Sequence, residues 1–355
     1  MSKTDDSLRV ILDDVLDETV NISKKTIDNL VDEENEEIRE ITSKSATILL
    51  RRLKSRITAK LEASKLIEKE FETTVLKTWK KPIDLSDLLL YISLEVASEF
   101  SLKRGSEKGS KQKYIHEALS KQQTSACLIF NEILHLLKSG FPSGAYSHWR
   151  MLHEITCVSY FISKHGEEMA KRFLDYEVVE DYFQAQAIRK NQQKMDFQSI
   201  SERDFEKAKK KIRKMNKTYG SDFVKKTNYP YGWVPREVLK TRSLREIEKA
   251  VKLDMLRPYY DLAGYVMHGS KGLVFKLGPM AKKSKSAVLP MGPTNYGLAD
   301  PGKIAAISLG QITACLLAST ATLKRLVIIE TLRGLVDEIC DAFDEINAEF
   351  SENSK

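Results

Sequence analysis

Two histidines, an arginine and a glutamate stand close together in Gly144 to Glu154 (GAYSHWRMLHE), inside a segment otherwise made of core residues. Residues four apart stack on one face of a helix, so Arg150, Glu154 and, one turn on, Cys157 and Phe161 form one stripe, and Met151, Ile155, Val158 and Ile162 another. Buried charges must be paired. Arg150 and Glu154 therefore read either as an ion pair that locks this helix, which the spacing favours, or as a guanidinium that orients an anion such as phosphate beside a carboxylate that positions a base or water. His148 and His153 lie five apart, a poor spacing for joint ligation on a helix, whereas His153 and Cys157 have the better i, i+4 relation. Two donors do not make a site, and neither HExxH nor a CxxC pair occurs. The expectation is no metal, with both histidines as hydrogen-bonded packing residues.

Two later stretches carry further candidates. In Tyr259 to Gly272 (YYDLAGYVMHGSKG), His268 precedes Gly269 at a helix C-terminus, where the dipole favours an imidazolium. It reads as a cap for the last carbonyls or as a proton donor near neutral pH, with Asp261 and Tyr265 near the same face. In Leu289 to Gly302 (LPMGPTNYGLADPG), glycines and prolines define tight turns from which Asn295 or Thr294 is placed to point inward. No Gly-Lys-Ser/Thr follows, so this is a structural loop rather than a nucleotide cradle, and no cofactor is expected.

The elements that must position these residues are helical. Apolar positions recur at helical spacing through Leu50, Leu53, Ile57, Leu61, Phe71 and Val75, which predicts a long charged arm, either a coiled coil or an outer hairpin. Further helices are expected over 114–139, 144–164, 167–194 and 202–219, with a loop at Tyr229 to Pro235, a short capped helix from Ser243 and two long helices at the end. The predicted fold class is all-α: a multi-helix bundle with a long charged N-terminal helical arm and an irregular Gly/Pro-rich segment near 269–301. The polar break at 103–112 suggests an arm or hairpin region over 1–110 and a core domain over 111–355.

Charge is unevenly distributed. Residues 189–217 hold 11 basic and 4 acidic side chains, and 271–285 hold five lysines, Lys271 the first, and no acid. These two stretches are the candidate nucleic-acid contacts, and the arm is the candidate surface for a second copy or another protein. The start lacks an apolar signal segment and the four cysteines lie far apart, which fits a reducing cytoplasm. Residues 304–323 carry no charge but many hydroxyls, so a buried core helix is expected there and no membrane.

Trp149–Glu154 (WRMLHE), Arg172–Tyr182 (RFLDYEVVEDY), Tyr231–Trp233 (YGW), Tyr260 with the MHG ending at Gly269, and the GPTNYGLADP ending at Pro301 occur in that order. Over roughly 126–323 the chain thereby resembles the bacterial family catalogued as domain of unknown function (DUF) 5677. The resemblance implies a mostly helical intracellular domain whose recurrent polar residues are Arg150, Glu154, Glu177, Tyr260 and His268. It implies no activity. HEPN-type helical nucleases also combine an arginine and a histidine, but here Arg257 precedes His268 by eleven residues, so their motif is missing. Two functions follow. One is a binding or assembly component, as in bacterial stress or phage defence. The other is a metal-independent hydrolase of RNA or another phosphate ester, with Arg150 on the phosphate, Glu154 orienting it or a water, and His268 as acid, beside binding positions His153, Glu177, Tyr260, Asn295 and Lys271.

Overall fold

The computed structural model describes residues 8–19, 36–103, 112–191, 200–267 and 292–352. Among them there is no strand, and the chain is an all-α multi-helix bundle. The α-helices are α1 (Leu8–Thr19), α2 (Glu36–Thr78), α3 (Lys80–Lys103), α4 (Lys113–Lys138), α5 (Pro142–His165), α6 (Glu167–Asn191), α7 (Glu202–Tyr219), α8 (Leu244–Val251), α9 (Arg257–Met267), α10 (Ala299–Ala318) and α11 (Leu323–Glu352).

The chain divides into two compact units, Met1–Thr73 and Thr74–Lys355. In the first, α1 buries Ile11 and Val15 and is tied to α2 by a 2.6 Å hydrogen bond between the Thr19 and Ser45 hydroxyls and by the Arg52–Glu18 ion pair. The C-terminal end of α1 is thus fastened to α2. Much of the apolar stripe on α2 stays in solvent, with Leu50, Ile57 and Leu61 all exposed. The second unit begins in the last turns of α2, where Val75 is fully buried, as is Trp79 just beyond the helix. It includes α3, so the polar break at 103–112 separates two helices that pack on each other.

In the second unit α5 is the central helix, packed against α4, α6, α8, α9 and α10. A helix contacted from so many sides has little surface left for solvent, which is why α5 buries Tyr146, Trp149, Leu152, His153, Thr156, Cys157, Phe161 and Ile162 together. The uncharged helix α10 has the length and composition of a membrane span, but 72% of its apolar window is buried inside the fold. Its serines and threonines have partners: Trp149 Nε1 donates to Ser308 Oγ at 3.1 Å, and Gln123 Nε2 donates to Thr313 Oγ1 at 2.9 Å. They are polar bolts between helices.

Of the Gly/Pro-rich segment, only 292–298 are irregular among the described residues, because α10 starts at Ala299 and takes Pro301 into its first turn, where no backbone N–H is needed. Asn295 points inward, and with the backbone of Thr294 it forms a clasp. Thr294 N donates to Gly140 O at 2.8 Å, and Trp79 Nε1 donates to Asn295 Oδ1 at 2.8 Å. Asn295 therefore ties this loop to the junction between α2 and α3.

Gly302 of α10 meets the Phe343 ring of α11, and a Cβ built there would lie 2.3 Å from Phe343 Cζ. The ring is fully buried, 5.8 Å from the Trp79 ring, and has nowhere to retreat. Gly302→Ala is expected to lower stability by about 1–3 kcal/mol through overpacking. Urea denaturation checks this, and an unchanged midpoint would show that α10 and α11 are not this close.

Candidate functional site

The start of α5 is set by Phe141–Pro142, with the proline in the first turn, and its end by Gly166 at φ 82°, whose N–H donates to Ile162 O. Between these stops the helix turns its polar residues toward different partners. Glu154 accepts a hydrogen bond from the Tyr231 hydroxyl. Arg150 lies over the Tyr260 ring, 4.0 Å from its centroid, and has no carboxylate partner among the described residues. The expected Arg150–Glu154 ion pair does not form, because each side chain finds an aromatic partner from another segment. Gly264, one turn beyond Tyr260, makes room for the guanidinium: a Cβ there would lie 2.7 Å from Arg150 Nη1.

Beside this pair is a fully buried trio. His153 Nε2 lies 2.9 Å from Glu248 Oε1 and 3.5 Å from Cys157 Sγ. The second oxygen of Glu248 accepts from Arg257 Nη2, and the Arg257 guanidinium also lies over Tyr260, 4.7 Å from the centroid. Two guanidiniums thus share one tyrosine ring, a contact worth about 0.5–2 kcal/mol for each cation. The His153 ring stands 5.9 Å from Tyr260 and 5.0 Å from Trp149. Burial, then the Glu248 carboxylate, push the Cys157 thiol far above its ordinary range, and burial, then Glu154, do the same to the Tyr231 phenol. Both groups are protonated at neutral pH.

This arrangement does not activate a nucleophile. A Cys–His–acid triad puts the thiol on one ring nitrogen and the acid on the other. Here both face Nε2, Nδ1 has no hydrogen-bond partner, and the three residues are buried away from substrate. What the centre does is tie α5 to α8 and α9.

On another side of α5 a cleft of about 830 Å³ is lined by Met151, Glu154, Val158, Glu177, Tyr231 and Trp233, with Lys121 and Glu180 at its polar edge. Glu177 pairs with Lys121 at 3.2 Å, and Glu154, Glu177 and Glu180 outnumber that one lysine. Arg150 is not in its lining. Thus Arg150, His153, Glu154 and Tyr260 gather around one stretch of α5, Glu177 stands apart across the cleft, and Asn295 is remote. His268 and Lys271 lie outside the described residues. Glu248, which bridges the centre, was not among the sequence candidates. Its signal was the apolar face of α8: Leu244, Ile247 and Val251 recur at helical spacing, and Glu248 follows Leu244 by four.

An all-helical domain with a buried His–Glu pair, flanked by two half-buried arginines that share one tyrosine ring, is the class this geometry defines. The model of a family of unknown function (DUF5677) matches residues 116–278, so the middle of the chain is similar to that family. The match leaves GPTNYGLADP, ending at Pro301, outside, short of the 126–323 expected from the motifs. No curated protein and no solved structure matches the chain.

Replacing Arg257 with leucine leaves Glu248, which has no exposed side-chain surface, with only His153 to offset its charge. Arg257→Leu is expected to cost about 3–5 kcal/mol in urea unfolding. Arg150→Leu strands no buried carboxylate and is expected to cost about 1–2 kcal/mol, the worth of its ring contact. Equal losses from the two substitutions would contradict this division of roles.

Proposed function

We propose that the protein is a non-catalytic binding component that holds nucleic acid through the sequence-independent charge of α7. The observation that carries this reading is the run from Lys207 to Lys217, with seven basic residues and no acid. Local chemistry explains why they face outward. Phe205, Ala208, Ile212, Met215 and Tyr219 recur on one face, of which Phe205 and Met215 are buried, and Tyr219 donates to Asp175 on α6 at 2.5 Å. Ser201 caps the helix by accepting from Asp204 N at 3.1 Å, and Gly220 ends it. With the apolar stripe held inward, Lys210, Lys211, Arg213, Lys214 and Lys217 are left exposed, and none has an acidic partner among the described residues. At 1.5 Å per residue these cations cover about 12 Å of helix, a length over which duplex DNA presents about seven phosphates.

The cleft supports the same choice from the other side. Its carboxylates repel phosphate, and the arginine that would clamp an anion is turned onto Tyr260. The exposed apolar stripe of α2 supports the assembly half of the reading, as a surface for a second copy or another protein. The lysine run 271–285 lies outside the described residues and adds only its charge.

Binding to a short duplex, followed by fluorescence anisotropy over a salt series, tests the reading. Five phosphate contacts give a slope of log K against log salt of about −4 to −5, and Lys211→Ala with Lys214→Ala is expected to reduce its magnitude by about 2. Binding that is indifferent to salt or to these residues would overturn the proposal. RNA incubated with the protein is expected to be recovered intact, whereas degradation lost in Arg150→Leu would support the hydrolase reading instead.

A further inference from the structure

The buried trio has a property that neither the family match nor the nucleic-acid reading uses. Its donor atoms, an imidazole nitrogen, a sulfur and a carboxylate oxygen, all lie within 4.8 Å of one another. Zinc in a tetrahedral site sits about 2.0 Å from nitrogen or oxygen and about 2.3 Å from sulfur, which sets edges of about 3.6 Å between N and S and about 3.3 Å between N and O. The His153 Nε2 to Cys157 Sγ distance, 3.5 Å, is already such an edge. The Nε2 to Glu248 Oε1 distance, 2.9 Å, has to open by only about 0.4 Å. The i, i+4 spacing of His153 and Cys157 on α5 supplies two donors from one rigid helix, and Glu248 on α8 supplies the third.

We propose that His153 Nε2, Cys157 Sγ and one oxygen of Glu248 form a structural site for a divalent cation of the zinc type, which staples α5 to α8. Thiolate and imidazole donors select a borderline-soft ion over magnesium or calcium. The complete burial of all three residues assigns a structural rather than a catalytic role. Arg257, on the other Glu248 oxygen, orients the carboxylate as outer partners do in metal sites. Loading releases one proton, from the Cys157 thiol to solvent. The Nε2 proton of a neutral His153 moves to Nδ1, the ring atom with no partner. The thiolate and carboxylate balance the dication, and three protein donors leave one corner for a water. Metal is expected to enter during folding, when the donors are still accessible.

The full chain, produced with zinc in the medium and dialysed against metal-free buffer, is expected to retain about one zinc per chain, with one sulfur in the first shell by zinc-edge X-ray absorption. Cys157→Ala is expected to hold less than about a tenth of that while keeping the helical circular dichroism of the wild type. The wild-type measurements decide even if the variant misfolds. Less than about 0.1 zinc per wild-type chain after refolding in excess zinc would overturn the site, leaving His153, Glu248 and Arg257 as a hydrogen-bonded link alone. A first shell without sulfur, or zinc retained by a folded Cys157→Ala, would overturn it equally.

Discussion

A carboxylate with no exposed surface, Glu248, has to be satisfied inside the helical unit, and much of the site follows from how that is done. One oxygen meets His153 and the other Arg257, so the neighbouring helices α8 and α9 are fastened at one point to α5, which lies 95 residues from Glu248 at His153. Arg257 and Arg150 then share the Tyr260 ring, which fixes where α9 lies against α5. Gly264 is part of the same constraint, since a side chain there would occupy the position of the Arg150 guanidinium. Removing any one partner leaves a charge or ring without its complement, so these residues act as a unit.

That unit separates the polar residues from the surfaces available to partners. Of the chemistry-bearing residues of α5, His153 and Cys157 are buried and Glu154 stands in the wall of an acidic cleft, whereas cations with no acidic partner among the described residues project from α7 on the far side of its apolar stripe. A catalytic centre for phosphate esters needs the anion clamp and the acid/base at one open place. Here the described members are divided between an aromatic stack and a hydrogen bond to Tyr231. Binding through α7 asks only for charge at a suitable spacing, which the helix has.

Much of the architecture was legible in the sequence, because helix periodicity and stop signals are local. The segments expected at 114–139, 144–164 and 202–219 are helices at Lys113–Lys138, Pro142–His165 and Glu202–Tyr219. The charge-free stretch is a core helix, and Asn295 points inward as expected. The long-range partners were not legible. The i, i+4 spacing of Arg150 and Glu154 suggested a pair, but spacing along one helix says nothing of Tyr231 and Tyr260, which compete for those side chains from 77 residues and more away. Glu248 was hidden for the same reason, 95 residues from His153. The His153–Cys157 relation was visible on one helix, but its third donor came from another.

If the buried centre is structural and α7 is the binding surface, the two respond differently to one measurement: the affinity of the full chain for a single duplex when either place is changed. Reversing two α7 charges, Lys211→Glu with Lys214→Glu, is predicted to weaken binding about tenfold or more at moderate salt, and Arg150→Leu, if still folded, to leave it within about twofold. The opposite result, with affinity lost on changing Arg150 and kept on reversing α7, would place the nucleic acid at the centre and contradict the account.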